Sequence, residues 1–216
     1  MAKISPLAPK GFPEIPPIAG VSLASGSCGL RYQGRRDVLL AALDKGTQVA
    51  GVFTTSKTAA APVHWCAKAA KAGRARALIV NAGNANAFTG LAGEKSVQRT
   101  VAKVASVLDC PKSQVFVAST GVIGETLPDD RIRNALAGLK KALRPDDWPG
   151  AASAIMTTDT FAKGAQTGRS IRSPSTATHR PAIPPCCLRP GRRNMPKFPR
   201  PATPNCGPSV RRSRRS

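Results

Sequence analysis

No acidic residue follows Asp159 in this 216-residue chain. From Gly164 to Ser216 there are 12 lysines and arginines and 10 of the 20 prolines, but only five residues from Leu, Ile, Val and Phe. Such a stretch cannot bury enough apolar surface to offset its ordering entropy, so residues 164–216 are expected to be a disordered basic tail. Its arginines could meet phosphates, but aromatic interleaving and a nucleic-acid module are both missing, so nucleic acid is not the expected partner. Histidine is nearly absent. His64 is the one histidine before residue 164, which argues against a Ser-His-Asp triad, and it reads as a partly exposed polar residue near a helix start.

Other absences narrow the class further. No window approaches the roughly 18 apolar residues of a transmembrane helix. The opening MAKISPLAPKGFPEIPPIAG is punctuated by proline and lacks the apolar core of a secretory signal, so a cytoplasmic location is expected. Cys28, Cys66 and Cys110 are far apart and read as reduced thiols that fill space. Cys186, Cys187, Cys206 and His179 fall in the tail without zinc-ligand spacing, so no metal is expected. The Rossmann and Walker glycine loops and the GxSxG hydrolase elbow are also missing.

What remains, residues 1–163, carries 21 basic and 11 acidic residues and is long enough for a real core. Residues 1–20 read as an extended lead-in, and Val21 to Leu30 as a strand or turn. Asp37 to Leu43 and Thr47 to Thr55 read as two strands of a hairpin turning at Asp44-Lys45-Gly46. Val63 to Ala72 predicts a helix ended by Gly73, and Ala77 to Val80 a buried strand. Asn81-Ala82-Gly83-Asn84-Ala85-Asn86 reads as a loop whose amides bind backbone or ligand. Val97, Val101, Val104 and Leu108 share one helical face, as do Ile132, Leu136, Leu139 and Leu143. Pro128, Asp129 and Asp130 at the start of the latter helix, and Lys140 and Lys141 near its end, suit its dipole. Trp148-Pro149-Gly150 reads as a break before a final element, AASAIMTTDTF. Strands alternating with helices predict an α/β fold, layered α and β with sheet packed on helices.

Two stretches could carry chemistry. Gln114 to Glu125 begins as a buried strand (Val115, Phe116, Val117) and passes through Ser119, Thr120, Gly121 and Gly124. Glycine admits close approach to a backbone N–H and a hydroxyl adds a donor, although a plain turn built of small residues would look the same. MTTDT places Thr157, Thr158 and Thr160 around Asp159. It fits an ordinary helix cap or strand end as well as a contact to a polar substrate.

Five blocks taken in order resemble a known family: GLRYQGRRDVLLAAL, GVFTTSKTAAAPVHWC, ALIVNAGNANAFTG, FVASTGVIGETLP and AIMTTDTFAK. They look like the ornithine/glutamate N-acetyltransferases of arginine biosynthesis, the ArgJ type, over about residues 10–165, most of the N-terminal (α) part. Ala82 and Ala162 stand where that family usually has serine and proline. The resemblance implies an acetyl group moved from N-acetylornithine to glutamate through a threonine acyl-enzyme, the threonine being freed as a new N-terminus by self-cleavage. It implies oxyanion stabilisation at Thr120 and Gly121 and a substrate contact at Thr157, with Thr158 one residue away as the alternative. It implies no cofactor, acetyl-CoA as an alternative co-substrate, small-molecule partners, and an α2β2 assembly with a β-chain.

After MTTDT the resemblance ends, and the Asn-Met-Ala-Thr-type segment holding the family's nucleophile is not found. The composition break at the same place reads as a shift of reading frame near residues 164–170. On this reading residues 1–163 are an acetyltransferase α-chain-like domain, and the chain alone is expected to be inactive. A binding protein with a basic tail and a hydrolase using Ser119 or Thr120 are the competing readings.

Overall fold

The computed structural model describes residues 8–165, with Pro6 and the pair Arg189–Pro190. In chain order its strands are Val21–Gly26 (β1), Val38–Leu43 (β2), Thr47–Gln48 (β3), Ala77–Asn84 (β4) and Val115–Val122 (β5). Its helices are Ala61–Ala69 (α1), Gly90–Leu108 (α2), Asp129–Lys141 (α3) and Trp148–Ala154 (α4). The sequence of β2, VLLAAL, is buried at every residue but Ala42, which suits a strand flanked on both edges and covered on both faces. It is flanked by β1 and by β4, both antiparallel, and β5 joins β4 in parallel, giving the order β1-β2-β4-β5.

The helices lie where their apolar stripes demand. Val97, Val101 and Val104 of α2 and Ile132, Leu136 and Leu139 of α3 meet Val38, Leu40, Ile79, Val115 and Val117 on one face of the sheet. Each such Val or Leu contributes about 1.5–3 kcal/mol relative to exposure. Asp129, buried at the start of α3, accepts hydrogen bonds from Arg99 of α2 (2.5 and 3.0 Å) and Arg133 of α3 (2.8 Å). On the opposite face Ala151 and Ala154 of α4 pack on Leu23, Leu39 and Ala41. The layered α/β architecture and both amphipathic helices match expectation.

Three local expectations are corrected. The chain does turn at Asp44–Gly46, where Thr47 N–H and its hydroxyl both donate to the Asp44 carbonyl. No hairpin forms, because β1 and β4 already occupy both edges of β2. The short β3 instead bonds with residues 73–75, and Arg189–Pro190 lies antiparallel to it. Residues 49–54 form no strand, and Val52 is fully exposed. Trp148-Pro149-Gly150 opens α4 rather than breaking the chain, since proline in a first turn lacks only an N–H that would go unused. Finally, Asn81 to Asn84 belong to β4 rather than to a loop, because β5 runs alongside them as a ladder partner.

Gly73, at φ +64°, ends the helical segment after α1 as expected. Cys28, Cys66 and Cys110 are free thiols. Among the described residues no helix is long and apolar enough to cross a membrane. The expected disordered tail, with Cys186, Cys187, Cys206 and His179, falls on residues outside the described ones.

Candidate active site

The carboxyl ends of the parallel strands β4 and β5 hold the first of the two stretches singled out above, with Ser119, Thr120 and Gly121. Ala82 lies opposite Thr120 and Gly83 opposite Gly121, and the register then slips so that Asn84 faces both Thr120 and Val122. A bulge of this kind bends a strand and re-aims its last residues. Gly121 shows why no other residue would serve. Its φ is +134°, and a Cβ there would lie 2.5 Å from the Asn84 nitrogen and closer still to the Gly83 carbonyl carbon.

The strand alternation aims the backbone groups. Even-numbered carbonyls face β4, since Gln114 O accepts from Arg76 N–H and Val122 O from Ala85 N–H. Odd-numbered groups face the outer edge. There the Trp65 indole of α1 donates to Val115 O at 2.9 Å, and the Cys66 thiol both donates to Val117 O and accepts from its N–H. Beyond Val117 that cover ends, and no strand pairs with this edge among the described residues. By the same alternation, the N–H groups of Ser119 and Gly121 point to the uncovered stretch. Thr120 is half-buried and Gly121 exposed.

A web of buried amides holds this end still. Asn81 donates to Asn84 O (2.8 Å) and accepts from the Ser119 hydroxyl (2.7 Å). Asn84 donates to Glu125 O and accepts from Asn86 N–H, while Asn86 ties in Gly93, Ser96 and Thr89 at the start of α2. The asparagines therefore bind backbone, one of the two roles expected of them. Ser119 is engaged with an amide, which is no base, so its hydroxyl has no visible activation for the hydrolase reading. His64 is exposed on α1 and lines a cleft of about 280 Å³ with Lys57, Asn86 and Glu94; Thr120 is not part of that lining.

Among the described residues the thiols are held away from the reactive thiolate form. Burial, helped by the Asp37 charge, pushes the Cys28 thiol up to about 12, and burial raises Cys66 as well. Among the described residues no group of three or more His, Cys, Asp or Glu is placed to hold a metal.

Thr157 and Thr158 lie past the end of α4, in a segment without helix or strand, Thr157 half-buried and Thr158 exposed. Among the described residues no hydrogen bond joins them to Thr120 or Gly121. Their connection runs through the 27–37 loop, which the sequence reading did not single out. Arg35 of that loop donates from Nη2 to Met156 O (2.5 Å) and from Nη1 to Thr157 O (3.2 Å).

A layered α/β protein whose last parallel strand ends on an open, hydroxyl- and glycine-bearing edge is thereby defined. Comparison with known proteins makes it specific. The model of the ArgJ family matches residues 22–178. The arginine biosynthesis bifunctional protein ArgJ of Bradyrhizobium diazoefficiens is 54% identical over 162 residues, covering 75% of this chain and 39% of that protein. Its namesake from Ruegeria pomeroyi is 55% identical over 169 residues, 76% of this chain and 41% of that protein. The chain thus spans about 40% of the length of these curated relatives. Among solved structures, ornithine acetyltransferase complexed with ornithine from Mycobacterium tuberculosis aligns with a TM-score of 0.63 at 34% identity. That alignment covers 74% of this chain and 94% of the solved one. The bifunctional protein ArgJ of Bacillus halodurans aligns with a TM-score of 0.59 at 27% identity, covering 76% and 92%. The chain belongs to the ArgJ family.

Proposed function

We propose that this chain supplies the charge-stabilising part of an acetyl-transfer site in arginine biosynthesis. What supports the reading is the outer edge of β5, with which no strand pairs among the described residues and which ends in half-buried Thr120 and exposed Gly121. Donors fixed before reaction stabilise a developing oxyanion without reorganising, and the asparagine web holds the backbone on either side of this pair through Ser119 and Glu125.

In the proposed reaction a threonine hydroxyl attacks the acetyl carbonyl of N-acetylornithine, its proton passing to that threonine's own amine. The carbonyl oxygen takes up negative charge facing Thr120 and Gly121. The C–N bond then breaks, and ornithine leaves as an amine carrying the proton. Glutamate's amine next attacks the acetyl-enzyme and takes the acetyl group, releasing the threonine. Acetyl-CoA is the alternative acetyl donor, and no metal or bound cofactor is required. Thr157, or its neighbour Thr158, contacts the substrate.

The nucleophile belongs to a further portion. The relatives are about two and a half times as long as the matched stretch, whereas the solved Mycobacterium chain is covered over 94%. That contrast supports an enzyme made of two polypeptides, an α-chain like this one and a β-chain; an α2β2 assembly and a cytoplasmic location complete the proposal. Residues 1–163 form the α-chain-like domain. The shift of reading frame is placed near residues 164–170, against which stands the family match running on to residue 178; reading the coding DNA in its other two frames tests it.

The functional test combines two assays of radiolabelled acetyl transfer from N-acetylornithine to glutamate. The purified chain alone gives no turnover. Combined with the C-terminal portion of the Bradyrhizobium relative it turns over, and Thr120→Ala lowers that rate by about 100- to 1,000-fold. Turnover by the chain alone, or an unchanged rate in Thr120→Ala, would contradict the reading.

A further inference from the structure

The loop between β1 and β2 touches both halves of the proposed site. Its anchor is Asp37, fully buried, whose carboxylate accepts the N–H groups of Cys28 (2.5 Å) and Leu30 (2.7 Å). The Asp37 carbonyl accepts the Ala82 N–H at 2.8 Å, which fixes the loop to β4 beside the bulge. The next residues lie against that strand end. Arg31 backs onto Gly83, the residue packed on Gly121, so closely that a Cβ on Gly83 would meet the Arg31 Cβ at 3.0 Å. Its guanidinium reaches Glu125 just after β5.

The other side of the loop faces the threonine segment. The Arg35 guanidinium stacks on Tyr32 with its carbon 4.3 Å from the ring centroid, and its fork donates to the successive carbonyls of Met156 and Thr157. Every other hydrogen bond of residues 155–165 among the described residues is local. Met156 N–H bonds to Ser153 O, Thr157 N–H to the Asp159 carboxylate, and Lys163 to Asp159. Arg35 is thus the polar tie between that segment and the strand ends, and lysine could not reproduce it, because one ammonium lacks the planar fork.

We propose that Arg35 is a positioning residue: through the Asp37-anchored loop it sets where Thr157 and Thr158 stand relative to Thr120 and Gly121. The inference deepens the acetyl-transfer reading and rests on it. A bland alternative is that Arg35 merely caps the carbonyls at the end of α4. A cap would act on stability alone, whereas a positioning residue acts on the response to substrate.

The experiment is a titration of the ¹⁵N-labelled 216-residue chain with N-acetylornithine, following the amide signals of Thr157, Thr158 and Gly121. The wild-type chain shows shifts at all three. Arg35→Ala, with its thermal midpoint recorded in parallel, needs at least about tenfold more ligand for the same shifts at Thr157 and Thr158. Arg35→Lys is also weakened while keeping the charge and the fold, and millimolar methylguanidinium restores the response of Arg35→Ala. If both variants respond like the wild type, the role given to Arg35 is overturned and the acetyl-transfer reading stands. If the wild type itself shows no shift at these threonines, the reading of the site falls, and the role of Arg35 with it.

Discussion

Gly121 rests directly on the backbone of Gly83, two glycines on neighbouring parallel strands with no room for a side chain between them. The contact comes where the ladder slips, so strand pairing and site geometry depend on the same pair of residues. The bulge turns the end of β5, and the missing Cβ on Gly121 lets the strand stay paired while it turns.

Gly121→Ala and Gly124→Ala separate two effects. Both glycines have positive φ, +134° and +85°, but only at Gly121 would a Cβ strike backbone, since nothing lies within 4 Å at Gly124. Strain in such a region costs about 1–3 kcal/mol. Gly121→Ala is expected to lose more than that in urea unfolding, because β4 must also move, and Gly124→Ala only the strain. Equal losses would mean that the close approach to Gly83 carries no weight.

The outer edge of β5 makes a second prediction. Trp65 Nε1 donates to Val115 O, and without it a partly buried carbonyl loses its partner. Trp65→Phe keeps most of the apolar bulk and should cost about 1 kcal/mol by denaturant unfolding. An unchanged midpoint would show that water replaces the indole there, so that α1 does not seal this edge.

How much of this was legible in sequence depends on distance along the chain. Val97, Val101 and Val104 revealed their helix, and Ile132, Leu136 and Leu139 theirs, because the period is local. β2 revealed itself as a strand through the local apolar run VLLAAL. The hairpin to β3 failed because the edges of β2 are claimed by β1 and β4, and a window around Asp44 holds no trace of β4. Thr120 and Gly121 stood out only through the neighbouring blocks. The residues that hold them, Asn81 against Ser119 at a separation of 38 and Arg35 against Thr157 at 122, carry no local signature. A hint was present in Arg35-Arg36-Asp37: a lone acid among arginines, directly before an apolar strand, is a candidate for a buried anchor.

Cysteine reactivity checks the burial of the 27–37 loop. The Cys28 thiol is pushed up to about 12, by burial first and by the Asp37 charge second. At pH 8 roughly one molecule in ten thousand would carry the reactive thiolate, against about a quarter for an ordinary thiol. Iodoacetamide at pH 8 should therefore leave Cys28 unmodified in the folded chain while modifying it readily in urea, as read by peptide mass mapping. Fast modification in the folded chain would mean that the loop is not seated on Asp37.

Acid stability tests the joint between α2 and α3. Burial works to raise the Asp129 carboxyl, but the hydrogen bonds and charges of Arg99 and Arg133 outweigh it, so the folded value lies below the ordinary one. A carboxylate held down in this way contributes stability that is fully present above its unfolded value, about pH 4. That contribution fades as the pH falls through the folded value, because protonation then costs the folded state its ion pairs. Asp129→Asn keeps the shape without the charge and should lose about 1–3 kcal/mol at pH 7. Thermal midpoints of the two proteins should therefore converge between pH 5 and pH 2, roughly the interval over which such a carboxylate titrates. A gap that stays constant across that range would place the stabilising role of Asp129 in its packing rather than in its charge.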